Sequence, residues 1–109
     1  MTVGEKMSRK DCNTEILKRL DKENKGLLRS SFAQVLVDMG LIEIDDAVNL
    51  DSTVSFEDDF KVVEEFFTTF YDQRFFQGLI NLGYLKDVGF YWFKESNEVL
   101  NLLNEYDNK

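Results

Sequence analysis

The chain of 109 residues has no histidine, no proline and a single cysteine, Cys12. Histidine is the side chain that most often serves as general base, proton shuttle or zinc ligand near neutral pH, so its absence makes an enzyme less expected. One cysteine cannot form a disulfide within the chain, and no histidine is available to activate its thiol as a nucleophile. We therefore expect a protein that is not an enzyme, needs no cofactor or metal and acts by binding.

Long apolar runs are absent as well. No segment approaches the roughly 18 apolar residues of a membrane span, and no apolar stretch follows Met1 as it would in a secretion signal. We expect a cytoplasmic protein that does not interact with membranes. The length favours a single helical domain over residues 1–109, with a polar N-terminal stretch, residues 1–11, that is expected to be frayed.

Aromatic residues, by contrast, are abundant, with ten phenylalanines in the chain. The richest segment is 60–85, where apolar side chains recur at spacings of three and four residues, as is typical of a helix. Because aromatic residues occupy more than one face, we expect this helix to be buried on most sides and to form the centre of the core. The predicted fold class is mainly α, a compact bundle of about five helices with room for a short β-hairpin.

Helix end signals define the elements before this segment. Ser, Thr and Asn are good N-caps, and glycine permits the left-handed backbone that ends many helices. Such residues mark the ends of two helices, Asn13 or Thr14 to Lys25 or Gly26, and Ser30 or Ser31 to Gly40. We expect residues 41–56 to be mostly loop and Ser55 to cap the core helix.

The C-terminal part contains a turn signal, four adjacent aromatic residues and a last helix. Residues 86–89 should form the turn, and Phe90 to Phe93 suit either a short strand or a turn of helix. Ser96 should cap the last helix, whose apolar face could also be a homodimer seam.

A weak internal repeat relates two of the predicted helices. Residues 32–42 align without gaps with residues 75–85, with four identities, and both segments end in glycine followed by apolar residues. Any amphipathic helix that ends at glycine has this pattern. The alternative is that two copies of one helix-turn-helix unit pack face to face.

Charge is distributed unevenly along the chain. Residues 30–60 contain eight acidic and no basic residues, so this third equals the whole net charge of −8, whereas residues 1–29 are net basic. An acidic surface repels phosphate backbones and attracts cationic surfaces. We expect no direct binding to nucleic acid and a protein partner with a basic surface.

The predicted partner-binding site consists of the acidic side chains that follow the second helix and one aromatic residue further along the chain. These residues are Glu43, Asp45, Asp46, Asp51, Glu57, Asp58, Asp59 and Trp92. Trp92 is included because aromatic residues dominate interface hot spots, although it could belong to the core. The carboxylates could instead form a solvated loop and helix N-terminus. No glycine-rich phosphate-binding loop accompanies them, so a catalytic magnesium site is not expected.

Residues 17–40 carry a family resemblance. An apolar helical stripe is followed by Asp21, Glu23, Gly26 and Leu28 at positions 1, 3, 6 and 8 of a twelve-residue loop, and then by a second helical stripe. The segment resembles an EF-hand of the calmodulin and alpha-actinin kind. A chance turn between two helices is the alternative.

The calcium ligands of such a loop are incomplete in this chain. Lys25 occupies position 5 and Phe32 occupies position 12, where the family has oxygen ligands. The resemblance therefore implies a degenerate, non-calcium-binding EF-hand that has kept its helix-loop-helix packing. As a function it implies a calcium-independent helical adaptor that seats a partner helix against apolar surface.

Two other functions remain open. The acidic third would suit a small inhibitor of the kind that mobile elements encode, which mimics nucleic acid or blocks a basic site on a host protein. The helix-turn-helix followed by Leu41 and Ile42 would also allow a winged-helix DNA binder. The candidate recognition helix, residues 30–39, however, has no Lys or Arg to contact guanine or phosphate.

Overall fold

Helices make up most of the structure. The computed structural model describes residues 7–27, 31–48 and 55–108, without the side chains of residues 25–27. Its six α-helices are α1 (Arg9–Leu27), α2 (Phe32–Asp38), α3 (Phe56–Thr69), α4 (Phe75–Leu82), α5 (Gly89–Trp92) and α6 (Ser96–Asp107), and a 3-10 helix spans Ile44–Asp46. This confirms the mainly α fold class. None of the described helices is both long and apolar enough to cross a membrane.

Where the prediction left room for a short hairpin, the described ranges contain one isolated antiparallel bridge, between Ala47 and Leu85. Two backbone hydrogen bonds flank the bridge, from Val48 N to Tyr84 O (3.1 Å) and from Lys86 N to Asp46 O (2.9 Å). The loop after α2 is therefore tied to the segment after α4. Residues 49–54 of the predicted loop lie outside the described residues.

The aromatic segment 60–85 is two helices and not one. α3 ends at Thr69, and α4 begins at Phe75 after a turn that includes a hydrogen bond from Gln73 N to Phe70 O (3.1 Å). Arg74 is the N-cap of α4. Its backbone is extended, and its amide donates a hydrogen bond to the side-chain oxygen of Gln77 (3.1 Å), which favours the start of a new helix at Phe75.

Of the two aromatic helices, α4 is largely buried, as expected, but α3 is not buried on most of its sides. Val62 on α3 is 47% exposed, and Phe70 and Tyr71 in the following turn are 49% and 56% exposed. The core is therefore not confined to this segment.

The centre of the core is a set of phenylalanine rings from three helices. Phe32 of α2 stacks on Phe56 of α3 with ring centroids 5.4 Å apart, and Phe67 of α3 stacks on Phe75 of α4 at 5.4 Å. Burial of one such side chain stabilises the fold by roughly 1.5–3 kcal/mol. Aliphatic residues of α1 and α6 complete the core, and they are Ile16, Leu20, Val99, Leu100 and Leu103.

Two of the predicted caps are confirmed. The hydroxyl of Ser31 accepts a hydrogen bond from Gln34 N (3.1 Å), and the hydroxyl of Ser55 accepts one from Asp58 N (3.3 Å). These bonds satisfy free amide groups in the first turns of α2 and α3. Ser30, the alternative cap of α2, lies outside the described residues.

The start of α1 was predicted too late. The helix begins at Arg9, and Ser8 Oγ accepts a hydrogen bond from Asp11 N (3.1 Å), so Asn13 and Thr14 are interior residues. Residues 9–11, which were expected to be frayed, are therefore helical. The Arg9 guanidinium also binds Glu95 (2.9 Å), which anchors this end of α1 to the segment before α6.

Ser96 was predicted to cap the last helix, but it forms a buried junction. Its hydroxyl accepts a hydrogen bond from Phe75 N (3.0 Å) and donates one to Asn13 Oδ1 (2.6 Å). Asn13 in turn donates to Gln73 O (2.8 Å), and both Asn13 and Ser96 are 1% exposed. The junction joins α1, α4 and α6, while the Glu98 carboxylate accepts the hydrogen bond from Glu95 N at the start of α6 (2.8 Å).

The helices of the internal repeat end in the same way. Gly40 and Gly83 have positive φ values of 74° and 91°. After each glycine, the next amide donates to the carbonyl five residues earlier, and these bonds run from Leu41 N to Leu36 O and from Tyr84 N to Leu79 O, both 3.0 Å. The aligned residues thus have equivalent positions in two glycine-ended helices, which both interpretations of the repeat predict.

Candidate functional site

An open groove of about 670 Å³ lies between α1 and α3. We call it the α1–α3 groove. Three side chains, Leu17, Phe60 and Phe67, give it an apolar floor. The volume lies within the range of roughly 300–1,000 Å³ that is usual for ligand-binding pockets.

The two helices run in opposite directions along the groove. Lys10, near the start of α1, lies over the ring of Tyr71, just after the end of α3, with 5.7 Å from Nζ to the ring centroid. One end of the groove is therefore formed by Lys10 and Thr69, and the other end by Asp21 and Phe60.

The walls of the groove carry opposite charges. Four exposed charged side chains lie on the walls, Lys10 and Lys18 on α1 and Glu64 and Glu65 on α3, and the half-buried Asp21 adds a carboxylate at one end of the α1 wall. Within the described residues, none of the four takes part in an ion pair. Their charges are therefore available to a molecule that enters the groove.

Helical periodicity explains why α3 can supply both floor and wall. Phe60 and Phe67 are seven residues apart, which is about two turns, so both point toward α1. Glu64 and Glu65 lie between them on the solvent side of the same helix. The groove was not predicted from the sequence, because the pairing of α1 with α3 depends on contacts between distant parts of the chain.

At the start of α3, the residues of the predicted acidic site differ in their exposure to solvent. Glu57 and Asp58 are exposed, as expected for a binding surface. Asp59 is only 9% exposed, and its Oδ1 accepts a hydrogen bond from the Tyr84 hydroxyl (3.0 Å). Burial, with the hydrogen bond to Asp59, raises the pKa of Tyr84 to about 12. Asp59 therefore has a structural role.

The acidic residues of the loop after α2 are divided in the same way. Glu43 and Asp45 are exposed, whereas Asp46 Oδ2 accepts a hydrogen bond from the Tyr91 hydroxyl (2.7 Å). Burial raises the pKa of Tyr91, and the bond to Asp46 raises it further. Asp51 lies outside the described residues.

Trp92 is half-buried, and the most exposed rings of its aromatic cluster are those of Phe90 and Phe93. Phe90 and Phe93 are 67% and 73% exposed, and Tyr91 between them is 3% exposed. Lys94 lies 4.5 Å from the Phe90 ring centroid, and Arg74 lies 5.8 Å from that of Phe93. Four adjacent aromatic residues in the sequence already indicate that some of their rings are exposed, because a single helical turn cannot direct all four toward the core.

The first residues of the loop that the EF-hand resemblance implies are helical in the structure. Asp21 and Glu23 lie within α1, which extends to Leu27, and the Glu23 carboxylate accepts a hydrogen bond from the Tyr106 hydroxyl (2.7 Å). That bond, together with burial, raises the pKa of Tyr106. The side chain of Lys25 and all of Leu28 lie outside the description. Over the described residues, no group of three or more His, Cys, Asp or Glu side chains could hold a metal ion.

Two further features that the sequence analysis considered for function, the apolar face of the candidate recognition helix and Cys12, are buried. The candidate recognition helix, α2, packs Phe32, Val35 and Leu36 into the core, so this face is not available to DNA. Cys12 is 1% exposed, and burial raises the pKa of its thiol, which disfavours the reactive thiolate.

Comparisons with known protein families, with curated proteins and with solved structures find no match to this chain.

Proposed function

We propose that this protein is a non-enzymatic protein–protein interaction module, a calcium-independent helical adaptor that seats a partner helix in the α1–α3 groove. The observation that carries the proposal is the groove itself, with its apolar floor between two charged walls. An amphipathic helix that lays its apolar face into a groove between helices is a recurrent mode of recognition.

The floor supplies a place for apolar anchors. Leu17 and Phe67 are 7% and 6% exposed and form a packed base, while Phe60 is half-buried and offers part of its ring to an incoming side chain. Burial of this remaining apolar surface would contribute to affinity at roughly 25 cal/mol per Å² before the costs of association.

A second candidate function is that of an acidic inhibitor that occupies a basic site on another protein. The exposed side of α3 has four carboxylates and one lysine, and they are Glu57, Asp58, Glu64, Glu65 and Lys61. None of the four carboxylates forms an ion pair within the described part of the chain. Their charge favours a basic partner and would speed its association.

Affinity capture with matched tryptophan variants tests the adaptor function. Thr68→Trp places a large ring in the groove, and Val62→Trp places the same ring on an exposed part of α3 away from the groove. Capture from the native host, quantified by mass spectrometry, should lose a specific partner with Thr68→Trp and keep it with Val62→Trp. Circular dichroism checks that both variants keep the helical content of the wild type. Equal capture by both variants would contradict the adaptor function.

The double variant Glu57→Lys with Asp58→Lys tests the inhibitor function. Neither residue lines the groove. As an inhibitor, the protein should lose its partner on charge reversal, and wild-type capture should weaken strongly between low and moderate salt. As an adaptor, it should retain the partner in this variant.

A further inference from the structure

The charge on the groove walls has a consequence for the direction of a bound helix. Lys10 and Lys18 are eight residues apart on α1, roughly 12 Å along the helix axis, so positive charge is spread along that wall as far as Asp21 at its end. Glu64 and Glu65 lie on the opposite wall. A helix in the groove therefore has one flank against lysines and the other against glutamates.

A helix with its apolar face on the floor can lie in two directions. Turning it end to end keeps the apolar face down but exchanges its two flanks. Only one direction then places its Lys and Arg side chains against Glu64 and Glu65 and its acidic side chains against Lys10 and Lys18. An exposed ion pair changes an equilibrium by roughly 1.4-fold to fivefold, so several pairs together would favour the matched direction about tenfold.

We infer that the groove selects amphipathic helices with a basic flank and an acidic flank, and that the positions of these flanks set the direction of binding. The inference rests on the proposed adaptor function and adds the chemical class and orientation of the partner. It does not depend on the acidic side chains Glu57 and Asp58, which lie outside the groove.

Two designed peptides of identical composition test the inference. Each is an amphipathic helix with a leucine face, lysines on one flank and glutamates on the other, and the flanks are interchanged between the two peptides. A nitroxide at the peptide N-terminus broadens NMR signals of nearby amides in the ¹⁵N-labelled full chain. We expect one peptide to broaden the amides of Thr69 and Tyr71 and the other to broaden those of Lys18 and Asp21, at the opposite end.

A charge-reversed protein provides the second arm. Replacement of Lys10 and Lys18 by Glu, together with Glu64 and Glu65 by Lys, should exchange the two broadening patterns while the affinities stay within about twofold. All four side chains are exposed, so the fold should be retained, which the NMR spectrum of the free variant reports directly.

The outcomes separate the inference from the proposed function. Binding of both peptides in the same direction, or in both directions equally, would overturn the inference and leave the adaptor function in place. Failure of both peptides to shift any amide of the groove would overturn the adaptor function. A third peptide with serines in place of the leucine face serves as the control and should not bind.

Discussion

Two aromatic regions of this molecule have similar compositions and opposite environments. In α3 and α4, Phe67, Phe75 and Phe76 are no more than 6% exposed and contact one another through their rings. In and just after α5, Phe90 and Phe93 are more than 60% exposed, although Lys94 and Arg74 lie over their rings and the Phe90 ring also meets that of Tyr91 edge-on. The abundance of aromatic residues is therefore not a measure of burial.

The difference arises from the number of helical turns that face the core. α3 and α4 have enough turns to place phenylalanines repeatedly on an inward face. α5 is a single turn of four residues, and only Tyr91 points inward, where it packs edge-on against Phe76 with ring centroids 5.3 Å apart. Its hydroxyl reaches Asp46 in the loop after α2, and Arg74 Nε donates a hydrogen bond to the Trp92 carbonyl (2.8 Å), so one buried ring and hydrogen bonds to neighbouring segments hold α5.

The largest expected effect comes from removal of a buried ring. Phe75→Ala should lower the free energy of unfolding by about 3–5 kcal/mol, because Phe75 is fully buried and its loss leaves a cavity between Phe67 and Phe76. Phe93→Ala should change it by less than about 0.5 kcal/mol. Urea unfolding of both variants measures the two values. Similar losses would show that the exposed ring is packed in solution.

A smaller effect is expected where the buried rings restrict a glycine. A Cβ on Gly78 of α4 would lie 2.5 Å from Cζ of Phe67 and 2.9 Å from Cε1 of Phe66. Gly78→Ala should therefore destabilise the protein by about 1–3 kcal/mol, despite the better helix propensity of alanine.

Gly89 in α5 provides the matched control for Gly78. A Cβ there would meet no atom within 4 Å, so Gly89→Ala should be neutral or slightly stabilising. Thermal unfolding of the two variants gives the comparison. If Gly78→Ala were as stable as Gly89→Ala, the rings of Phe66 and Phe67 would not be packed against α4.

The smallest effect concerns Tyr84, which lies at the border of the buried rings. Its ring is 5.5 Å from that of Phe32, and its hydroxyl donates to Asp59. Its pKa is raised from 10.0 to about 12. The neutral hydroxyl is thus favoured in the folded state, and its contribution to stability is complete below pH 10 and is lost as the pH rises to about 12.

Tyr84→Phe tests this pH dependence. The variant lacks the ionisable hydroxyl, so its free energy of unfolding should fall less steeply than that of the wild type between pH 10 and 12. Urea unfolding at several pH values in this range gives the two slopes. Parallel curves for wild type and Tyr84→Phe would contradict the raised pKa of Tyr84 and with it the burial of its hydroxyl beside Asp59.

Part of the fold could be predicted because its signals are local. Ser31 and Ser55 bind amides three residues ahead, and Gly40 takes a backbone conformation that other residues rarely adopt. The break between α3 and α4 was missed because the whole segment 60–85 has helical spacing. Ser96 was predicted to be a helix cap. Its partners in the structure, Asn13 and Phe75, are 83 and 21 residues away, so the local sequence does not reveal them.

The candidate site, like the fold, could be predicted only where its signals are local. Acidic composition predicted an exposed surface, and Glu57 and Asp58 lie on one. Asp46 and Asp59 bind tyrosines 45 and 25 residues further along the chain. No pattern within the acidic third distinguishes the two groups. The α1–α3 groove likewise combines residues from two separate helices.

The amino-acid sequence by itself determined that the chain is mainly helical, where several helices begin and end, and that its charge is concentrated in one third. These properties depend on neighbouring residues, whose spacing and hydrogen-bonding groups act within one or two turns. Tertiary structure alone decided which aromatic rings and carboxylates are buried and which helices border the groove. Burial depends on the packing of distant segments, and side chains of one type then differ in energy because they differ in access to water.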